Sequence, residues 1–548
     1  MRYQSPARAI SLVGFMGTGK TTNGQRLAKQ LGLQCVDTDD TVQRLAGKTI
    51  PEIFATDGEE AFRDLETRAL SMALSGPRSV VGTGGGVVLR ASNMEMMKSA
   101  GPVICLEARP ETILARIPAR NDRPLLQCAD PAGRITQMLA ERREAYAQAD
   151  YTVQADYRDR SVVLGQMMRL LENDPRTTLM VDRRTRVHVK ASNGEYRIHV
   201  EAGAFDRLAR LCPPTAAGNP CVVVSSEAVA ALYGEKVLGQ LTCGGWRAHL
   251  VTVPNGEGAK TLQNASMLYD RFAEMGLDSG ATVFALGGGV VGDLAGFAAA
   301  TYRRGVRFAQ LPTSLLAQVD ASSGGKVAVN HPKGKNLIGT FYQPAGVVID
   351  TASLQTLPER ELRSGLSEVI KHAAIADAGM FAFLERELEA FCALDDIAVR
   401  YVLARNCQIK AGVVERDPYD RGARACLNYG HTVGHALERT SGDWELKHGE
   451  AVAIGMVAEA RFALELGLCD EETVSRQEAL IKRAGLPTHA EGVDIQQARE
   501  ALRVDKKIAS GRLRMPLVPR IGTVQILRDA DIEALQGVLA TVIGSGTA

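Results

Sequence analysis

Apolar positions along the chain fall into short continuous runs and longer runs of helical spacing, and the two kinds alternate. "AISLV" (9–13) passes directly into a glycine-rich turn, and "TTNGQRLAKQLG" (21–32) beyond it has helical spacing, so a strand, a loop and a helix are predicted in that order. "FRDLE" (62–66) falls on a helix, and "VVGTGGGVV" (80–88) pairs another strand with a glycine turn. "VHVKASNGEYRIHV" (187–200) carries two alternating runs about Asn193–Gly194 and predicts a β-hairpin. Between about 220 and 350, "CVVVSS", "HLVTVP", "ATVFALGGG" and "GVVID" alternate with helical stretches, which is α/β patterning. Beyond about 358 helical patterns dominate, with few strands. The polar stretch "LLENDPRTTLMVDRRTR" (170–186) carries a proline and breaks the helical period, which predicts a linker. The expected organisation is an α/β domain over 1–175, a linker over 176–186, a second α/β domain over 187–350 and a mostly helical domain over 351–548.

Composition narrows this picture only slightly. The 548 residues suggest roughly three to four domains at about 150 residues each, with more than one core. A net charge of +1 points to no polyanionic partner, and the one basic cluster, "VDRRTRVHVK" (181–190), reads as a solvated segment rather than a nucleic-acid surface. Ten cysteines are scattered without a Cys-x-x-Cys pair, so neither a disulfide framework nor a zinc ribbon is expected. The N-terminal apolar run leads into the glycine turn as a core strand rather than a signal peptide, and no run reaches the ~18 residues of a membrane span. A reducing, cytoplasmic setting is expected, with no nucleic-acid or membrane partner. All nine histidines stand at 188 or later and the first third has none, which marks a division along the chain.

Gly14-x-x-x-x-Gly19-Lys20-Thr21 has the composition and context of a phosphate-binding loop. Glycines let backbone N–H groups face phosphates, and the following helix N-terminus adds a favourable dipole. Gly17, Thr18, Gly19, Lys20, Thr21 and Thr22 are expected around ATP, with Lys20 on the β/γ oxygens and Thr21 on Mg²⁺. Further clusters supply the acceptor side: "VDTDD" (36–40), "FRDLE", the glycine turn at 83–86, "RNDRPLL" (120–126) and "ERREAY" (141–146). Alone, an Asp-x-Asp is usually a turn and an arginine-rich helix usually a solvated face. Together and in this order, the clusters resemble shikimate kinase over about residues 8–172. The resemblance implies a nucleoside-monophosphate-kinase-like fold and transfer of phosphate from ATP to the 3-hydroxyl of shikimate. By motif position, Asp39, Arg63, Gly85 and Arg142 would hold shikimate, and Asp37 would stand by the Mg²⁺. Arg123 would be the lid arginine, and Asp39 would be the general base on the attacking hydroxyl. A small polyol acid does need a carboxylate for its hydroxyls and arginines for its acid group.

The remaining two thirds carry a second chemistry. "ATVFALGGGVVGDLAGFAAATYRRG" (281–305) is a strand, three glycines and a helix, a weak dinucleotide signal without the G-x-G-x-x-G fingerprint. His431 and His435 stand four apart on one helical face, His448 follows in "KHGEAVAIG", and "GLSEVIKHA" adds Glu368 and His372. Histidine with carboxylate suits Zn²⁺ or Co²⁺, and Thr432 rules out a His-Glu-x-x-His motif. Basic residues in expected loops (Arg304, Lys326, Lys335, Lys410 and Arg424) suit an anionic, phosphorylated substrate. The phrases "LPTSLLAQVDASSGGK", "KGKNLIG", "SEVIKHA", "LNYGHTVGHA" and "KHGEAVAIG" make residues about 187–540 resemble 3-dehydroquinate synthase.

That resemblance implies a zinc or cobalt ion on Glu368, His431 and His448, with His435 handling protons or supporting the ligands. It places Arg304, Asp320, Lys326, Lys335, Asn336, Lys371, Lys410, Arg424, Asn428 and Lys506 (or Lys507) around the substrate. It places Glu257, Lys260, Gly288, Gly289, Asp293, Thr313, Ser314 and Thr356 around NAD. Of these, Lys326, Lys371, Lys410, Arg424 and His435 would take part in catalysis. "SSEAV" (225–229) departs from the family pattern, so Glu227 would be the acidic partner of the adenosine ribose. The implied reaction converts 3-deoxy-arabino-heptulosonate 7-phosphate to 3-dehydroquinate and phosphate, with NAD regenerated. A homodimer through this part is expected. Two rival readings remain at this stage: a metal-dependent polyol dehydrogenase in the C-terminal part, and a non-catalytic nucleotide sensor in the N-terminal part.

Overall fold

The computed structural model describes residues 4–117, 130–157, 159–182, 185–191, 194–441, 446–503, 508–509 and 512–543. The chain forms two compact units, residues 3–183 and residues 184–548. The first is built on five parallel strands, β1 (Ala9–Val13), β2 (Gln34–Asp37), β3 (Ser79–Gly82), β4 (Val103–Glu107) and β5 (Tyr151–Gln154), in the order β2-β3-β1-β4-β5. "AISLV" is buried along its whole length because a parallel sheet has helices on both faces, so its central strands are apolar throughout rather than alternating. Each of Ile10, Leu12 and Val80 is fully buried, worth about 1.5–3 kcal/mol apiece. From β1 the chain runs to the far edge, returns through β3, then crosses to β4. This reversal opens a crevice at the carboxyl ends of β1 and β3, where ligands of open α/β sheets bind.

Of the stretch read as a linker, residues 176–182 pack on this first unit, while Thr185 and Arg186 already belong to the first strand of the second and 183–184 lie outside the described residues. Arg176 binds the Asp174 and Asp150 carboxylates at 2.7 and 3.2 Å, and Leu179 and Met180 are buried in a short helix, Thr178–Val181. Its polar look came from charges that pair with one another.

The second unit opens with the expected hairpin, β6 (Thr185–Ala191) and β7 (Gly194–Glu201), antiparallel in register. Ala191 pairs with Gly194 at the end of the register, and residues 192–193 lie outside the described residues. The hairpin is the edge of a seven-stranded sheet continued by β8 (Pro220–Ser226), β9 (Arg247–Val253), β10 (Thr282–Gly287) and β11 (Arg307–Pro312). A two-stranded excursion, β12 (Lys326–His331) with β13 (Gly334–Phe341), precedes β14 (Gly346–Asp350). The sheet order is β6-β7-β14-β11-β10-β8-β9, parallel except for the hairpin. The chain leaves β8 toward one edge and β10 toward the other, so the crevice lies between their carboxyl ends.

Beyond β14 the unit is mainly helical, with helices Glu359–Ala376, Ala378–Cys392, Asp396–Arg416, His431–Thr440, His448–Glu465 and Glu471–Arg483, and one antiparallel sheet of β15 (Ile508–Ala509), β16 (Arg512–Arg520) and β17 (Thr523–Ala530). No helix among the described residues is long and apolar enough to cross a membrane.

Candidate active sites

In the first unit, three strand ends bring the motifs to one edge. The loop after β1 wraps the start of the helix Lys20–Leu31. Its Gly14 sits at φ +139, where a Cβ would lie 2.4 Å from the Leu106 carbonyl oxygen, so only glycine fits. Lys20 is buried and its ammonium donates to the Gly14 and Phe15 carbonyls at 2.7 and 3.0 Å, which aims it along the inside of the loop. Gly17, Thr18 and Gly19 complete the loop, and Thr22 follows in the helix. The exposed Thr21 hydroxyl donates to the Asp37 carboxylate at 2.8 Å, which puts two oxygen donors together at the end of β2.

Beside them is a cavity of about 500 Å³ lined by Asp39, Arg63, Gly85 and Arg142 at its polar end and by Ile50, Phe54 and Phe62 at its apolar end. Arg63 is clamped by Glu66 at 2.8 Å and Glu59 at 3.0 Å. Arg142 and Tyr146 both donate to the Gly85 carbonyl, at 3.0 and 2.6 Å. Burial pushes the Tyr146 phenol up to about 12, so it stays a donor. Arg123 lies outside the described residues.

In the second unit, Glu368 comes from the middle of the helix Glu359–Ala376 with no exposed surface, while His431 and His448 each open a helix. Donor atoms of these three side chains lie within 4.8 Å of one another. His431 Nε2 is 3.6 Å and His448 Nε2 3.8 Å from the same Glu368 oxygen, Oε1, which has no hydrogen-bond partner among the described residues. Each ring is oriented from behind: His431 Nδ1 is 3.1 Å from the Tyr429 carbonyl and His448 Nδ1 is 3.4 Å from a Glu438 oxygen. Two imidazoles and one carboxylate converging on an orphaned buried oxygen fit a divalent zinc or cobalt ion.

His435 lies 5.3 Å from the His431 ring and can group with Glu438 and His448. A third grouping, Asp320, Glu368 and His372, already holds cations of the chain itself: the Lys371 ammonium contacts Glu368, and Lys410 reaches Asp320 at 2.6 Å. Burial would raise the Asp320 carboxyl, but Lys410 and Lys371 overcome it and hold it well below the usual carboxylate range. His372 is fully buried against Asn406 at 2.9 Å, and burial with Lys371 lowers it to about 4.

The lysine residues do not all stand in loops. Lys410 belongs to the 21-residue helix Asp396–Arg416 and is buried, Lys326 begins β12, and Lys335 and Asn336 lie on β13. Lys326 pairs with Asp420, Lys335 acts on the Glu438 carboxylate, and Arg424 donates to the Gly324 carbonyl at 2.9 Å. Asn428 closes the turn that leads to His431. Arg304 lies on a left-handed turn past the C-terminal end of the helix Gly289–Thr301 and makes no hydrogen bond or ion pair with these residues among the described contacts. Lys506 and Lys507 lie outside the described residues.

At the crevice of the large sheet, Gly288 and Gly289 open that same helix, which has no side-chain cap, so its N–H groups are available to a pyrophosphate. Thr313 donates its N–H to Gly287 at 3.0 Å, and Ser314 approaches Gly288. Lys260 pairs with Asp293 at 2.5 Å, and Asn330 ties Glu257 to the edge of β12 at 2.7 Å. Glu227 follows the end of β8 and is exposed; Ser225 is buried and donates to Leu286 on β10 at 2.8 Å. Thr356 is exposed and bonded to the Tyr233 hydroxyl. This set fits a dinucleotide lying across the ends of β8 and β10.

Residues 250–364 match the 3-dehydroquinate synthase N-terminal family and residues 365–508 the 3-dehydroquinate synthase C-terminal family. The 3-dehydroquinate synthase of Citrifermentans bemidjiense is 46% identical over 350 residues, 64% of this chain and 97% of its own. The chain belongs to the 3-dehydroquinate synthase family. Ahead of its synthase unit it carries a shikimate kinase domain, matched over residues 16–172. A 2-epi-5-epi-valiolone synthase from Streptomyces hygroscopicus subsp. jinggangensis, solved with NAD⁺ and Zn²⁺ bound, is 29% identical with a TM-score of 0.58, over 63% of this chain and 96% of that one. Shikimate kinase from Acinetobacter baumannii in complex with shikimate is 36% identical, over 31% of this chain and 97% of its own, with a TM-score of 0.29.

Two residues of the kinase unit carry more of the site than their motifs suggested. Glu66 ends the "FRDLE" cluster, is almost wholly buried, and lines the acceptor cavity with Oε1 unbonded. Burial raises its carboxyl; Arg63 opposes this and Asp39 adds to it. Tyr146, the last residue of "ERREAY", bonds the same Gly85 carbonyl as Arg142. Both sit inside recognised clusters, but neither has a spacing that marks it. In the synthase unit, Glu438 behind His448 and Asp420 beside Lys326 lie outside the recognised phrases and have no spacing that marks them either.

Proposed function

We propose that the kinase unit phosphorylates the 3-hydroxyl of shikimate with ATP and Mg²⁺. The synthase unit converts 3-deoxy-arabino-heptulosonate 7-phosphate to 3-dehydroquinate and phosphate with NAD and zinc or cobalt. The observation that carries this reading is the meeting of Glu368, His431 and His448 beside the buried cations Lys371 and Lys410. A neutral polyol would need no such cage.

In the kinase unit, Lys20 neutralises the transferring phosphate, and Thr21 with Asp37 offers oxygen donors to Mg²⁺. Arg63 and Arg142 bind the acceptor's acid group, and Asp39 accepts the proton of the attacking hydroxyl. In the synthase unit, Glu368, His431 and His448 would hold a divalent ion, which would supply Lewis-acid polarisation of a substrate hydroxyl. The residues at the ends of β8 and β10 would hold NAD, which would supply a reversible hydride acceptor. Lys371 fixes the free side of the Glu368 carboxylate, and Lys410 with Asp320 forms a charged floor for substrate oxygens. Lys326, Lys335 and Arg424 face the substrate phosphate and carboxylate, and His435 handles a proton beside His431. A homodimer through the synthase unit is part of the reading. The substrates are small molecules, and a reducing, cytoplasmic setting agrees with the nine free cysteines among the described residues.

The deciding experiment is phosphate release from 3-deoxy-arabino-heptulosonate 7-phosphate with NAD and Zn²⁺ or Co²⁺, without ATP. Metal-dependent release with no accumulating NADH is expected; no release from folded, metal-loaded protein would overturn the synthase reading. Single substitutions should separate the halves. Lys20→Ala lowers shikimate-dependent ADP formation by at least about 100-fold and spares phosphate release. His431→Ala does the reverse and lowers metal content.

A further inference from the structure

The helix His431–Thr440 starts without a cap of its own. Gly430 precedes it in the left-handed region, φ +78, and no side chain of the segment bonds its first N–H groups. Those groups have no partner within a helix and must find one elsewhere. They find it in Glu459, a fully buried residue of the helix His448–Glu465. One Glu459 oxygen accepts the Gly430 N–H at 2.7 Å, and the other accepts those of Thr432 and Val433 at 3.1 and 3.4 Å. The carboxylate thus brackets His431 from both sides and meets the positive end of the helix dipole.

Two further contacts close the bracket. The Tyr429 carbonyl holds His431 Nδ1, while the Tyr429 hydroxyl donates to Gln477 at 2.8 Å. The helices touch backbone to backbone: a Cβ on Gly455 would fall 1.9 Å from the Gly430 oxygen, and one on Gly434 would fall 3.0 Å from the Ala451 oxygen. Glu459 shares its helix with His448, three turns further along, roughly 16 Å by helix rise. One rod therefore carries the first imidazole directly and aims the second through its start.

We infer that Glu459 is a positioning residue for the metal centre, which places His431 Nε2 against Glu368 and His448. This rests on the metal-binding reading proposed above. The test is titration of the apo full-length chain with Co²⁺, read by its visible absorption. Glu459→Gln keeps the size but offers a single oxygen and turns an NH₂ group toward backbone N–H groups. Its Co²⁺ affinity should fall about 10–100-fold with an altered spectrum, and saturating Co²⁺ should restore turnover. Glu459→Asp, which keeps the charge on a shorter arm, should lose less; it decides by the same criterion if the glutamine variant does not fold. Wild-type affinity and an unchanged spectrum in the folded variant would overturn the inference while the metal centre stood. Wild-type protein that takes up no Co²⁺, or that binds it equally after His431→Ala, would overturn the metal-centre reading and the inference with it.

Discussion

Asp417 ends the helix Asp396–Arg416 and holds the turn that leads to Arg424 and Asn428. Its carboxylate accepts the N–H groups of Arg421, Gly422 and Arg424 at 2.8, 2.8 and 3.1 Å. Burial works to raise it, but these three bonds prevail and hold it at about 2, against an ordinary value of 3.8. A depressed carboxyl stabilises the fold fully above its ordinary value, and the contribution is lost as pH falls from about 4 to about 2. Asp417→Asn should therefore lower stability by on the order of 1 kcal/mol at neutral pH, discounted for solvent screening, and the gap to wild type should narrow below about pH 4 and close toward about pH 2. Thermal melts across that range would measure it. At this scale the sequence was legible where residues crowd into motifs, as with Lys20, Asp37, Glu368, His431 and His448. Glu459 was invisible because its partners lie 26–29 positions away in the chain and no periodicity links them.

Among elements, strand ends and glycine turns do the placing. The turn after β3 lets two carboxylates meet over bare backbone: a Cβ on Gly84 would stand 2.4 Å from Glu66 Oε1 and 2.8 Å from Asp39 Oδ1. Gly84→Ala should displace both, raise the KM for shikimate, and cut kcat/KM about 10–100-fold, roughly 1.4–2.8 kcal/mol, with the ATP KM little changed. Steady-state kinetics with each substrate varied in turn checks this. The buried strands were readable from apolar runs because both their faces are covered. The β12–β13 hairpin was not, since β13 is largely exposed and offers no alternation; its glycines and lysines looked like loop.

For the whole molecule, the division into two compact units at residues 183/184 predicts that residues 1–183 and 184–548, expressed apart, each keep most of the kcat they show in the intact chain. Paired assays of shikimate-dependent ADP formation and phosphate release would show it. Equal flux in cells with the halves separate would favour fixed stoichiometry as the benefit of fusion over passage of an intermediate. The change of chemistry along the chain was readable from where its histidines begin; how the residues around 176–182 fold was not, because their charges pair locally and mimic a solvated segment.

The absence of histidine from the kinase half has a further consequence. The groups proposed to face its metal, Thr21 and Asp37, are hard oxygen donors suited to Mg²⁺, whereas the proposed synthase centre offers two nitrogens and one oxygen and would prefer borderline ions. The single polypeptide thus draws on two separate metal pools, one abundant and one scarce. A shortage of the scarce metal would stall the synthase step while the kinase on the same chain kept working.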